Sequence, residues 1–152
     1  MNIRPTKTQD IPALQIVLEG TELFPPEMLE GMFEASQATD PQELFFTYED
    51  NGTAIAFCYA APEELTNGTW NMLAIAVLPS RQGDGVGAAL AAHLEAALKS
   101  EGHRILIADT SGTEEFAQTR NFYKKNGYSE ESRIRDFWDS GDDKVTFRKA
   151  LQ

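Results

Sequence analysis

The chain has 152 residues, 24 acidic and 13 basic, with a formal net charge of −11 and an isoelectric point near 4.5. That length suits one domain, read as 1–152, and 41% hydrophobic with 24% charged residues is an ordinary balance that should close a core. One cysteine, Cys58, with His93 and His103, excludes a disulfide framework and a Cys/His zinc cluster, and no acidic spacing matches a calcium loop, so no metal is expected. The opening residues lack the apolar stretch of a signal peptide, and the longest apolar run, 72–78, is far short of the roughly 20 residues that span a bilayer. A soluble, cytoplasmic protein is expected.

The charge is unevenly placed. Residues 1–80 hold Arg4 and Lys7 against twelve acids, a net of −10, whereas residues 81–152 hold eleven bases and twelve acids, a net of −1. Such an N-terminal half repels phosphate backbones and anionic lipid, so neither nucleic acid nor membrane is expected as a partner. A cationic small molecule or basic peptide would be drawn to it. The alternative is that the acids serve solubility alone.

In chain order, 2–6 reads as a short edge strand closed by Pro5. Residues 8–19 carry Ile11, Leu14, Ile16, Val17 and Leu18 at mostly helical spacing, with Thr8 as N-cap and Gly20 as stop. A second helix follows Pro25-Pro26 over 27–36. Strands over 43–49 and 53–60 are joined by the hairpin turn Asp50-Asn51-Gly52, and Asn67-Gly68 turns the chain into a third strand over 69–78. Val86, Leu90, Leu94 and Leu98 then mark a helix over 83–99, stopped by Gly102. A strand over 104–108 and a helix over 113–125 follow, with Ser111 and Glu114 spaced as a capping box and Gly127 as C-terminal cap. Strands over 128–135 and 144–149 close the chain around a turn at 139–143. The order β-α-α-β-β-β-α-β-α-β-β predicts an α+β fold with a mixed sheet, and the unit from about 70 to 108 a right-handed parallel crossover.

Between the third strand and its helix lies Pro79-Ser80-Arg81-Gln82-Gly83-Asp84-Gly85-Val86-Gly87-Ala88. Three glycines at a helix start let a ligand approach the backbone, and the first-turn N–H groups and positive dipole end suit a phosphate. Arg81 adds a guanidinium for phosphate oxygens. A flexible turn using glycine for its dihedrals is the simpler alternative. A P-loop is excluded, because no lysine occurs from Thr8 to Leu98. A dinucleotide fold is tempting, with Asp109 about 20 residues downstream as a ribose acid. Against it, Leu90 stands where the third fingerprint glycine belongs, and too little chain follows for the rest of a doubly wound sheet.

The segment Ile75-Ala76-Val77-Leu78-Pro79, then Arg81 and Gln82-Gly83-Asp84-Gly85-Val86-Gly87, resembles motif A of the GNAT-type N-acetyltransferases, whose Gln/Arg-x-x-Gly-x-Gly/Ala core is met by Gln82, Gly85 and Gly87. Phe122-Tyr123-Lys124-Lys125-Asn126-Gly127-Tyr128 is similar to that family's "FYxKxGY/F" segment. Asp109-Thr110-Ser111-Gly112 resembles the "ETSS-like" variant of a subgroup. Arg133-Ile134-Arg135-Asp136-Phe137-Trp138 with Gly141-Asp142-Asp143-Lys144 resembles its C-terminal pattern.

The resemblance implies acetyl-CoA in a gap between splayed parallel strands, about 70–78 and 104–108. It implies that Ile75, Ala76 and Val77 meet the acetyl and pantetheine groups through their backbone. Gln82, Gly83, Asp84, Gly85, Val86, Gly87 and Ala88 would hold the pyrophosphate, with Arg81 at the rim. It further implies N-acetylation of a primary amine by direct attack through a tetrahedral intermediate. There the Ile75 N–H stabilises the oxyanion and Tyr123 protonates the leaving thiolate. Tyr123 could instead be a core aromatic. The base is left open among Glu49, Asp50 and Asp109, with Asp109 favoured as a turn cap. Trp70 and Trp138 are candidates for an acceptor pocket or for packing. Cys58 is expected in the core and His93 at a partly exposed position. The acceptor is expected to be a cationic small molecule or peptide amine, and a homodimer is implied by analogy with relatives. A non-catalytic acyl-CoA-binding sensor is the alternative.

Overall fold

The computed structural model describes residues 2–152; Met1 lies outside the described residues. Its strands are β1 (Asn2–Pro5), β2 (Leu44–Asp50), β3 (Thr53–Pro62), β4 (Thr69–Val77), β5 (Ile105–Ser111), β6 (Ser129–Asp139) and β7 (Asp142–Ala150). Its α-helices are α1 (Ile11–Thr21), α2 (Leu29–Gln37), α3 (Val86–Ser100) and α4 (Ala117–Lys125). One seven-stranded sheet runs β1-β2-β3-β4-β5-β7-β6, antiparallel except for the parallel neighbours β4 and β5. The α+β order and the parallel crossover are as the sequence predicts.

Strand alternation sorts the core onto two faces. Phe45, Phe57, Tyr59, Ala74 and Ala76 pack with Leu14, Val17, Leu18, Leu29 and Phe33 of α1 and α2. Phe46, Cys58, Met72, Leu106, Ala108, Val145 and Phe147 pack instead with Leu90, Leu94, Leu98 and Tyr123 of α3 and α4. The α1/α2 layer takes no core residue from β5 or β7, and on that face Ile107, Asp109, Lys144, Thr146 and Arg148 are half-buried.

Several predicted boundaries move, each for a physical reason. Thr8 does not cap α1; Asp10 does the work by accepting the Lys7 N–H at 2.8 Å, inside a 3-10 turn over Thr8–Asp10. Gly20 does not stop α1, which ends at Glu22 in the left-handed region (φ 55°). Gly20 is instead a contact point, since a Cβ there would lie 2.7 Å from Pro79 Cγ. The predicted helix over 113–125 is a 3-10 turn, Glu114–Phe116, leading into α4. No Ser111–Glu114 capping box forms, because Ser111 ends β5 and its hydroxyl accepts the Thr113 N–H. The hairpin turn is as read, with both Asn51 (φ 51°) and Gly52 (φ 77°) left-handed.

Candidate active site

The site begins where two strands part. β4 and β5 pair at Thr69–Ile105, Trp70–Leu106 and Asn71–Ile107, and no further, although both continue. On its other side β4 stays paired with β3, and Leu78 N–H donates to Ile55 O at 2.8 Å. Antiparallel ladders alternate hydrogen-bonded and non-bonded pairs. Ala76 and Ala74 therefore face β3, while Ile75 and Val77 turn their N–H and C=O groups into the gap. A bulge at Tyr59/Ala60 leaves Leu73 without a partner and half-exposed at the start of the diverging stretch.

The gap opens into a cleft of about 600 Å³ lined by Ile75, Ala76 and Val77, the glycine-rich turn and one face of α4. Gly83 (φ +89°) and Gly85 (φ +82°) are left-handed with open space around them, so glycine is needed there for its dihedrals. Gly87 answers a different need, since a Cβ would stand 3.1 Å from Phe122 Cε1. The first bonded N–H of α3 is that of Ala89, to Gly85 O at 3.0 Å. The N–H groups of Val86, Gly87 and Ala88 are left for an anion at the dipole's positive end.

Of the turn residues named from sequence, Arg81, Gln82, Gly83, Gly85, Val86, Gly87 and Ala88 all line the cleft, whereas Asp84 does not. The Asp84 carboxylate accepts from Arg81 Nε at 3.1 Å, and Asp50 accepts from Arg81 Nη1 at 2.8 Å. Gln82 folds back on Val77 O at 3.2 Å. Sequence reasoning missed the α4 wall, where Gln118, Asn121 and Lys125 line the cleft. Their i, i+3, i+7 spacing is the signal that marked it.

Tyr123 is buried, 4% exposed, and lies behind that wall rather than in the cleft lining. Its ring packs against Phe147 at 5.3 Å, Phe122 at 5.4 Å and Tyr128 at 5.5 Å. Burial, then the nearby Asp109 charge and Cys58, push its phenol above the ordinary range, so it stays protonated at neutral pH. Burial likewise pushes the Cys58 thiol up to about 12, which makes it an inert core residue.

Asp109 does not cap the turn after β5. Its Oδ1 accepts from Thr146 Oγ1 at 2.6 Å and its Oδ2 from Asn71 Nδ2 at 3.2 Å. The same Asn71 nitrogen donates to Glu63 Oε1 at 2.9 Å. Glu49 is paired with Arg4 at 2.8 Å and Asp50 with Arg81, so of the three candidate bases Asp109 is the one that stands where the strands part, with Glu63 on the same Asn71 nitrogen. Trp70 is core, tilted against His103 at 5.2 Å, and His93 meets Phe46 edge-on at 4.6 Å.

The C-terminal pattern is a stitched bulge. Residues 135–138 of β6 stand opposite Asp143, with Asp136 left-handed at φ 55°. Asp143 accepts the Asp136 N–H at 3.0 Å and Arg133 Nη1 at 2.9 Å, and Asp136 accepts the Gly141 N–H at 2.9 Å. The bulge carries Trp138, whose Nε1 donates to Thr110 O at 3.3 Å. Ser111 Oγ donates to Asp142 Oδ1 at 2.5 Å, tying the end of β5 to the same hairpin.

Residues 41–130 match the family model of the acetyltransferase (GNAT) domain. A crystal structure of a protein assigned to the GNAT acetyltransferases, from Desulfovibrio desulfuricans, is 30% identical, covers 99% of each chain and has a TM-score of 0.90. The ribosomal-protein-S18-alanine N-acetyltransferase of Escherichia coli shares the fold at 24% identity, 99% and 94% coverage and a TM-score of 0.81. So does an acetyltransferase from Salmonella typhimurium solved with its cofactor acetyl-CoA, at 16% identity, 100% and 94% coverage and a TM-score of 0.82. No curated protein sequence matches the chain.

Proposed function

The chain belongs to the GNAT acetyltransferase family, and on that premise we propose that it moves the acetyl group of acetyl-CoA directly to the primary amine of a small molecule or peptide. The observation that carries this is the fork itself: Ile75 and Val77 present main-chain groups to a gap with no strand beside them, next to a helix start where the N–H groups of Val86, Gly87 and Ala88 lack acceptors. Acetyl-CoA, when bound, supplies the acetyl thioester. The N–H groups of Val86, Gly87 and Ala88 would attract its pyrophosphate, helped by Lys125, with Arg81 at the rim already paired to Asp50 and Asp84. The Ile75 N–H is aimed where a carbonyl oxygen gains charge.

Tyr123, behind the α4 wall, is assigned the proton for the departing sulfur, and its phenol is protonated at neutral pH. Asp109, held by Thr146 and Asn71, takes the proton that the nitrogen sheds. A buried, unpaired thiol suits a reducing, cytoplasmic setting.

Thermal-shift titration with acetyl-CoA, CoA and NAD tests the cosubstrate, since a ligand at about 100 times its Kd stabilises by about 2.7 kcal/mol. Stabilisation by both CoA species and not NAD, with thiol release on an amine, is expected. Stabilisation without thiol release on any amine would indicate a sensor, and no CoA response would overturn the assignment.

A further inference from the structure

The half-buried face of β5 and β7 that the α1/α2 core leaves out carries a charge pattern the acetyl-transfer reading does not fully use. Lys144, Thr146 and Arg148 share this face of β7, because Val145 and Phe147 between them point into the core under α3 and α4. Across from them on β5 stand Ser111, Asp109 and Ile107. Asp109 is held by neutral donors alone, Thr146 and Asn71. Neither Lys144 nor Arg148 makes an ion pair among the described residues, in a chain with 24 acids.

A second observation points to a ligand. Asn71 is 6% exposed, and its Oδ1 is the one buried side-chain polar atom without a hydrogen-bond partner among the described residues. The amide nitrogen of the same head group bridges Asp109 and Glu63, which fixes the head group and leaves its oxygen without a donor. A buried acceptor with no donor is costly, and an N–H donor supplied by a ligand would satisfy it.

Resting on the acetyl-transfer reading above, we propose that the acceptor is a small zwitterion of the α-amino acid type. Its ammonium is recognised by Asp109 and Asn71 and its carboxylate by Lys144. The direction follows from the fork. β4 and β5 are closed at Ile107, across from Arg148, and open toward Ser111, across from Lys144. A substrate whose nitrogen enters the fork leaves its other atoms on the Lys144 side. Lys144 is two residues from Thr146, about 7 Å along the strand, a span its flexible stem can close. Phe137 and Trp138 of the bulge, both half-exposed and edge-on at 4.7 Å, form an apolar wall, with the Lys144 ammonium 4.3 Å from the Phe137 ring centre.

In the transfer, the C–N bond forms as the C–S bond breaks and the electron pair leaves with sulfur. The ammonium loses two protons in all: one is balanced by the proton Tyr123 gives to the CoA thiol, and the other leaves to solvent through Asp109.

The test is thiol release at saturating acetyl-CoA on free L-amino acids, each beside its methyl ester and decarboxylated amine, with L-phenylalanine, its ester and phenethylamine as the aromatic trio. Calorimetric binding of the same compounds to CoA-loaded protein runs in parallel. The free amino acid is expected to exceed both analogues in kcat/KM by about tenfold or more. That ratio should fall toward one in Lys144→Met and recover in Lys144→Arg. Analogues used as well as the amino acid, or a ratio unmoved in Lys144→Met, would overturn the proposal. Amino acids that bind CoA-loaded protein better than their amines but are never acetylated would support the subsite and sink the acetyl-transfer reading. Other amines acetylated while no amino acid binds would do the reverse.

Discussion

Asn71 Nδ2 stands 3.2 Å from Asp109 Oδ2, just beyond Asn71–Ile107, the last backbone rung between β4 and β5. A side-chain bond therefore spans the strands where the ladder gives out, and it holds a carboxylate at the opening. Asp109→Asn keeps the size and can still bond Thr146, but cannot take a proton. It is expected to lower kcat about 100-fold or more while leaving acetyl-CoA affinity unchanged. Steady-state thiol release and calorimetric titration check this, and near-normal turnover would remove Asp109 from the chemistry.

Tyr123→Phe keeps the packing on Phe147 and Tyr128 and deletes the hydroxyl proposed to serve the leaving sulfur. Because that hydroxyl makes no hydrogen bond among the described residues, the melting temperature should hardly move. Turnover should fall about 100-fold. Full turnover with intact CoA binding would make Tyr123 a core aromatic only.

Gly85→Ala forces alanine into the left-handed region, at about 1–2 kcal/mol, in the turn that aims the first N–H groups of α3. Gly87→Ala instead pushes Phe122 aside from 3.1 Å. Both are expected to weaken acetyl-CoA binding about tenfold in a titration. Unchanged affinity in either would place the pyrophosphate elsewhere.

Gly20→Ala puts a methyl 2.7 Å from Pro79 Cγ, at the entrance to the same turn. Overpacking of this kind costs about 1–3 kcal/mol. Chemical denaturation should show the loss, and acetyl-CoA should restore part of it by mass action.

Asp10 joins Arg4 through bonds of 2.7 and 2.9 Å and accepts the Lys7 N–H. Burial alone would raise its pKa, but the Arg4 and Lys7 hydrogen bonds outweigh it and hold the carboxyl below the usual range. A lowered native pKa means the contribution is complete above the unfolded value near 3.9 and fades as pH falls through the native one. Asp10→Asn is expected to cost about 1.5–3 kcal/mol at neutral pH and to flatten stability between pH 5 and pH 2. An unchanged slope in urea unfolding across that range would assign acid sensitivity to other carboxylates.

What the sequence determined by itself was local or periodic. The apolar spacing of α3, the Asn51-Gly52 turn and the glycines of the turn before α3 each depend on a residue and its near neighbours. Backbone sterics and helix geometry therefore made them legible, and motif spacing carried the family. What the tertiary structure decided was everything set by partners distant in the chain. Gly20 looked like a helix stop and is a contact with Pro79. Asp109 looked like a turn cap and is a held carboxylate, because Thr146 and Asn71 reach it from strands far away in sequence. Arg81 looked free for phosphate and is paired with Asp50 and Asp84. Hydrogen bonds and ion pairs form between whatever atoms the fold brings within about 3 Å, and sequence spacing carries no record of that distance once the residues lie on different strands.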